Sequence, residues 1–396
     1  MSGWSKISYE EHDWVFCVDV TVPRSQRVAG VGPYRAAVVP KIAIAAQVQV
    51  SSEVLTLVSE AANEIARFDV AFGEELVPFS SILLHSESVA SSKIENLSAT
   101  AQSIFLAELG DPTRRNASII VANASAMGSA LALADRIDEE TILAVHHALL
   151  GASQPQWAGK WREQQVWIGG GDYSPHNALF VPPHHSHVPG LIADLVGFVQ
   201  RENLPPLAQA AIAHAQFETI HPFPDGNGRV GRALVHSILK GKGLTRNVTI
   251  PVSAGLLSNL EAYFGALDAY REGDHEPIVR LAAEATFRAI NNGRELIADL
   301  HKVRDDWKQV LRARTDAAVW RLCDLLLRQP VLDSAIVQRE LGLVATNANL
   351  AIEQLVQVGA LRKVSGNHRN RKWAAPAVLR ALDQFAERAG RRQSAS

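Results

Sequence analysis

Apolar positions recur at helical spacing along most of this chain. From about Ser51, the residues Val54, Leu55, Val58, Ala61, Ala62 and Ile65 return every three or four positions, which predicts an amphipathic helix. The same reading predicts helices near Pro78 to Ala90, at Ile104 to Leu109, Glu140 to Leu150, Leu191 to Gln200 and Leu207 to Ile220, and a connector from about Asn292 to Arg314. Gly110, Asp111 and Pro112 mark a break. Before residue 40 there is no period, only Pro23, Gly30, Gly32, Pro33 and Pro40, and the segment reads as an irregular leader. One stretch inside the helical region changes period. Gln165 to Ile168 and Ala178 to Val181 flank Gly169, Gly170 and Gly171, which predicts a small β-hairpin ended by Pro182 and Pro183.

The last hundred residues change character again. Ala317 to Arg328 reads as a helix, Asp333 to Leu341 as a short helix, Gly342 as a turn and Asn347 to Val358 as another helix. Leu361 to Val364, Ser365 to Asn367 and Arg371 to Trp373 then read as strand, turn and strand, so a wing follows helix-turn-helix spacing. The expected architecture is mostly α, with a leader at 1–40, a helical region at 41–112, a helical domain at 113–300, and a connector with a winged helix-turn-helix module at 301–396.

Composition adds little except at one end. The 396 residues carry a net charge of −2, which excludes a chain built as a whole to bind polyanions. From Leu361 to Ser396, however, about nine Lys or Arg face two Asp or Glu. Two cysteines, Cys17 and Cys323, make no disulfide framework and no metal-ligand spacing. The first residues lack a basic-then-apolar pattern, and no apolar run reaches a membrane span, so the expected compartment is the cytoplasm, without a membrane partner. His184, His185 and His187 lie in a Pro-rich loop without helical spacing and read as solvated rather than metal-binding.

The chemistry concentrates in His221-Pro-Phe-Pro-Asp-Gly-Asn-Gly-Arg-Val-Gly-Arg232, between the end of one helix and the start of another. Gly226 and Gly228 let the backbone approach a ligand, and N–H groups at a helix N-terminus cradle anions. Arg229 and Arg232 share a face and suit a polyphosphate. Asp225 makes sense beside phosphates if a divalent cation, Mg²⁺ by preference, takes oxygens from both. His221 suits a base that deprotonates an attacking hydroxyl. Together these are the parts for in-line displacement at phosphorus.

This segment resembles the signature of the Fic (filamentation induced by cAMP) family, His-Pro-Phe-x-Asp/Glu-Gly-Asn-Gly-Arg-x-x-Arg, at every fixed position. His147, Leu150, Trp161-Arg162, the hairpin and Phe217-Glu-Thr-Ile220 are similar to other Fic features, so the likeness runs over about 40–375. The resemblance implies a Fic helical domain whose hairpin is a flap over the target, and AMP transfer from ATP to a Ser, Thr or Tyr hydroxyl of a protein, itself included. It makes His221 the general base and Asp225 the Mg²⁺ ligand. It places ATP against Glu218, Thr219, Ile220, Gly226, Asn227, Gly228, Arg229, Val230, Gly231 and Arg232, with Tyr263 flanking the base. Gly228 favours AMP over phosphate as the group moved.

Ser91-Ser-Lys-Ile-Glu95-Asn96 resembles the family's inhibitory motif, Ser/Thr-x-x-x-Glu-Gly/Asn. Ser91 and Glu95, four apart, are expected on one helix face. The resemblance pairs Glu95 with Arg232 and holds the enzyme off. Two other functions stay open: removal of AMP by water at the same site, and DNA binding through a basic wing carrying Arg362, Lys363, Arg369, Arg371 and Lys372. The helix from Asn347 to Gln354 has no Arg or Lys, which weakens DNA binding. A homodimer is compatible with the sequence.

Overall fold

The structure, a computed structural model, describes residues 4–16, 23, 30–44, 48–73, 77–111, 113–171, 173–314, 317–364 and 371–391. Cys17, Pro112, Arg369 and the turn expected at 365–367 lie outside the described residues.

In chain order the elements are β1 (Ser8–Asp13), β2 (Pro33–Val38), α1 (Ser52–Gly73), α2 (Val77–Ile94), α3 (Ala101–Glu108), α4 (Arg115–Ala132) and α5 (Glu139–Leu150). After 3-10 turns at Pro175–Asn177 and His185–His187 come α6 (Val188–Val199), α7 (Pro206–Ile220), α8 (Asn227–Gly241), α9 (Val252–Leu257), α10 (Leu260–Arg271) and α11 (Glu276–Val310). The chain ends with α12 (Ala318–Arg328), β3 (Val331–Asp333), α13 (Ser334–Leu341), α14 (Ala345–Gln357), β4 (Arg362–Lys363), β5 (Lys372–Ala374) and α15 (Pro376–Ala389). The protein is mostly α, as the periodicity predicts. Among the described residues no helix is long and apolar enough to cross a membrane.

The fold divides into two compact units, each assembled from three separate stretches rather than from consecutive blocks. One comprises 1–60, 126–243 and 261–283. Its centre is α7, in which every residue after Pro206 is buried. Alanines at 208, 210, 211, 213 and 215 let neighbours approach from all sides, so the helix has no solvent face. Pro206 starts it with a preset φ. Helix α8 packs along α7 because Gly231 allows it. A Cβ there would stand 3.0 Å from Glu218 Oε1 and Phe217 Cδ1, and 3.1 Å from His214 Nδ1.

The leader is not irregular. β1 and β2 form an antiparallel pair in register from Ser8 opposite Val38 to Asp13 opposite Pro33. Tyr34 and Ala36 turn inward, Arg35 outward, and this short alternation is the only sequence trace of the strand.

The second unit comprises 61–125, 244–260 and 284–396. Its spine is α2, against which α9, α12 and α15 pack. Buried polar groups hold α2 in place. Glu87, fully buried, accepts from Ser253 N at 2.8 Å at the start of α9 and from the Ser253 hydroxyl. Asn123 Nδ2 donates to Ser88 O and to Ser92 Oγ, both at 3.1 Å. In the C-terminal part, β3, β5 and β4 make a three-stranded antiparallel sheet in that order beside α12, α13 and α14. Strand β3 and helix α15 were not anticipated. Cys323 is buried, and burial pushes its thiol up to about 12.

Gly231→Val should force α7 and α8 apart at their closest approach. We expect a loss of roughly 1–3 kcal/mol, the usual cost of overpacking, read as a lower thermal midpoint. An unchanged midpoint would show that the crossing has slack.

Candidate functional site: a glycine-headed anion cradle beside a histidine

The loop between α7 and α8 is shaped by its ends. Helix α7 stops because His221 adopts a left-handed conformation, φ 51° and ψ 62°, with its N–H on Phe217 O at 2.8 Å. Pro222 then prevents further helix. Gly226, φ 82°, heads α8, and a Cβ there would meet Leu149 Cδ2 at 2.8 Å. Both reasons demand glycine. The fold places the helix start at Asn227, so Arg229 and Arg232 are its third and sixth residues.

Asn227 closes the loop. Its Oδ1 accepts from Phe223 N at 2.9 Å and its Nδ2 donates to Phe223 O at 2.8 Å. Phe223, fully buried, stacks under His146 at 3.6 Å between ring centres and near Trp161 at 5.0 Å. Asp225 lies at the loop mouth with its side chain 42% exposed. Its Oδ1 accepts from Gly226 N at 2.6 Å and faces Arg229 Nη2 at 3.3 Å, while Oδ2 accepts from Gln154 Nε2 at 3.0 Å.

The imidazole of His221 is 20% exposed, and its Nδ1 lies 3.9 Å from Glu218 Oε2. That separation is beyond a hydrogen bond but close enough for the carboxylate to favour a proton on Nδ1. The backbone of His221 is fixed by Arg162. This buried guanidinium gives Nε–H to His221 O at 2.8 Å and Nη1–H to Gln164 O at 3.1 Å. Nη2 donates to Pro183 O and reaches Ile220 O at 3.5 Å. Burial pulls Arg162 down to about 10, so it stays cationic at neutral pH.

The structure brings together His221, Glu218, Asp225, Gly226, Gly228, Arg229 and Arg232, and it sorts the other expected ligands differently. Asn227 spends its side chain on the loop rather than offering it outward. Thr219 is buried with its hydroxyl on Ala215 O at 2.7 Å, and Ile220 and Val230 are core residues. Gly231 faces α7. Tyr263, expected to flank a nucleotide base, is buried with its hydroxyl 2.8 Å from His214 Nε2. His214 is pushed down to about 3, first by burial and then by the Arg232 cation, which places that guanidinium's field on α7.

Sequence reasoning fixed on His147, which is exposed; its neighbour His146 is the one in the site. His146 Nε2 meets Asp225 O at 3.1 Å, and its Nδ1 accepts from Gly159 N at 3.1 Å. Burial drives it down to about 4, so it is neutral and donates through Nε2. Gln154 and the central role of Arg162 were also missed; the stripe of Ile142, Val145 and Leu149 points to His146 as the buried ring, while a lone Arg gives no such local signal.

The expected hairpin is reduced to one bridge, Ile168 opposite Phe180, with Ile168 N on Phe180 O at 2.9 Å. Gly169 and Gly170 take positive φ, and a 3-10 turn replaces the regular return. Its far limb joins β2 instead, Ala37 N donating to Val181 O at 3.0 Å. The nearby histidines are partly to fully exposed, as expected of a solvated loop, but specific contacts order them. His12 Nε2 and His187 Nε2 both lie 2.9 Å from Glu10 Oε1, and His184 stacks on His12 at 4.3 Å. Among the described residues no cluster of three or more His, Cys, Asp or Glu is arranged to hold a metal ion.

In the second unit, Ser91 is buried on α2, but Glu95 is not on the helix with it. The helix ends at Ile94, and Glu95 is the exposed capping residue. Asn96, φ 60°, follows in the left-handed region, with Asn96 N on Lys93 O at 3.0 Å and Leu97 N on Ser92 O at 3.0 Å. This pair of bonds closes a helix around a left-handed residue, which is why Asn or Gly belongs after the glutamate.

The two helices thus present a glycine-headed helix start with a histidine at the loop mouth, an arrangement whose N–H groups can receive an anion. Residues 136–239 match the Fic/DOC family. It is 33% identical over 151 residues to protein adenylyltransferase fic-1 of Caenorhabditis briggsae, a match that takes in 37% of this chain and 27% of that protein. The protein adenylyltransferase Fic of Culex quinquefasciatus is 30% identical over 160 residues, 40% of this chain and 29% of that protein. The chain thus spans little more than a quarter of these curated relatives. A crystal structure of a Fic family protein from Desulfovibrio desulfuricans G20 shares the fold, with a TM-score of 0.55 at 23% identity, covering 83% of this chain and 97% of that one.

Because His146 is neutral when folded and titrates near 6.5 when unfolded, the unfolded chain binds the extra proton between those values. Its contribution is full above pH 6.5 and is lost as pH falls toward 4. We expect roughly 2 kcal/mol to be gone at pH 5 from this residue. Denaturant melts of His146→Gln should show a shallower loss from pH 7.5 to 5 than the parent; equal slopes would refute the assignment.

Proposed function

We propose that the chain is a protein adenylyltransferase that moves AMP from ATP to a hydroxyl of a protein, with Glu95 as its brake. One arrangement carries this reading: an accessible imidazole at the end of α7 directly precedes a glycine-headed helix start bearing two arginines. The names of the curated relatives support the same chemistry.

The first-turn N–H groups of α8, with Arg229 and Arg232, bind the phosphates. Glu218 favours the proton on Nδ1 of His221, leaving Nε2 to accept one from the acceptor hydroxyl. That oxygen bonds to the α-phosphorus as the bond to the α–β bridging oxygen breaks, so pyrophosphate leaves and the proton ends on His221. Asp225 suits a Mg²⁺ ligand: its carboxylate is held by Gln154 and Arg229 yet remains partly exposed. Mg²⁺ asks for one such carboxylate among waters and phosphate oxygens, and when bound it neutralises phosphate charge. The segment around Ile168 and Phe180, glycine-tipped, receives the target.

Glu95 acts through Arg232, denying it to the terminal phosphate. The match to the inhibitory motif supports this reading.

Incubation with α-labelled ATP should label protein, and γ-labelled ATP should not. Glu95→Gly should raise the label. His221→Ala should lower it roughly 10²–10⁴-fold, the usual scale for a lost general base. Label from the γ position would replace AMP transfer with phosphate transfer, and equal labelling by the parent and Glu95→Gly would remove the brake.

A further inference from the structure

The segment that carries Glu95 is pinned at both ends by the last helix of the chain. On one side, Lys93 Nζ donates to Ala386 O at 3.3 Å. That carbonyl is in the last turn of α15, where helix carbonyls lack partners along the chain and the helix end is negative. On the other side, Asp383 Oδ1 accepts from Ala101 N at 2.9 Å. Ala101 opens α3, where the N–H groups lack partners and the helix end is positive. Two helix termini are thus each finished by a charge of the right sign, and the loop from Glu95 to Thr100 is strung between them.

The rest of α15 is anchored elsewhere. Arg388 Nε donates to Asn292 Oδ1 at 2.8 Å, and Asn292 Nδ2 donates to Phe385 O at 3.2 Å, so α11 fixes the helix along its last two turns. Leu379, Leu382 and Phe385 are buried. Packing beneath the loop is incomplete. A cavity of about 30 Å³, bordered by Val89, Ala99, Ile104, Leu382 and Phe385, lies where α15 packs on α2 and α3. A joint with spare volume resists movement less than a filled one. The two polar bonds therefore carry much of the registration of this loop on α15.

We propose that α15 is the latch of the inhibitory segment, and that Asp383 and Lys93 are positioning residues for Glu95. This rests on the reading of Glu95 as a brake. Neither residue touches nucleotide; they act by fixing where the glutamate stands. Loss of the Asp383 acceptor frees the start of α3, lets the loop from Glu95 to Thr100 wander and weakens inhibition without altering the site on α7 and α8.

The full-length chain tests this by epistasis. In the parent, Asp383→Ala should raise label from α-labelled ATP by roughly five- to tenfold, the lower range of a coupling between sites. In the Glu95→Gly background the same change should do nothing, because no brake remains to misplace. Asp383→Asn keeps an oxygen acceptor for Ala101 N and should stay at the parent's low level. Hydrogen exchange should show faster exchange at Ala101 in Asp383→Ala alone. Lys93→Met, which keeps the aliphatic stem and removes the ammonium, tests the other end if Asp383→Ala fails to fold. An activated Glu95→Gly beside parental labelling by Asp383→Ala and Lys93→Met would overturn the latch and spare the brake. Equal stimulation by Asp383→Ala in both backgrounds would also overturn it. A Glu95→Gly protein no more active than the parent would remove the brake and the latch together.

Discussion

The geometry of the site depends on one buried cation that has no acidic partner among the described residues. Arg162 spreads its N–H groups over carbonyls of Gln164, Pro183, Ile220 and His221, so it ties the end of α7 to both limbs of the glycine-tipped segment. The carbonyls at a helix C-terminus supply the compensating negative potential, which is how the charge survives burial. A planar fork with five donors can serve several acceptors in fixed directions; an ammonium cannot. Removing it would leave the carbonyls of Gln164, Pro183, Ile220 and His221 without this donor.

Backbone strain marks the same logic. Among the described residues, only Asn96 and His221 are non-glycine residues at positive φ. Each costs on the order of 1–2 kcal/mol relative to a right-handed conformation. One sits beside the glutamate of the inhibitory motif and the other is the histidine of the cradle. Both end a helix, and both turn a side chain out of the regular helical path where it could not otherwise stand. Strain of this kind persists where surrounding contacts over-determine the backbone, here Arg162 and Asn227 around one residue and the α15 contacts flanking the other.

Long helices and the phosphate loop were legible in the sequence because their signals are local. Apolar period placed α1, α5, α6 and α7 within a few residues, and the glycines and arginines of the loop lie within twelve positions. What was not legible depends on distant partners. Three of the six residues of β1 are acidic, and only pairing with β2 makes them a strand. The flap strands shrink to a bridge because Val181 pairs with Ala37. Asn227 reads as a phosphate ligand until the loop closes and Phe223 claims both ends of its amide. His146 shares the stripe of Ile142, Val145 and Leu149, so the helical period does turn its ring inward, but nothing near Glu95 points to Asp383, 288 positions later.

The enclosure of α7 has a consequence for how such a protein can diversify. A helix of small side chains touched on every side has almost no position where volume can change cheaply. Innovation is therefore displaced to its C-terminal end, where the backbone leaves the packed interior: the loop mouth around Asp225 and the glycine-tipped segment facing it. Exposed residues there can change without disturbing the packed helix beneath.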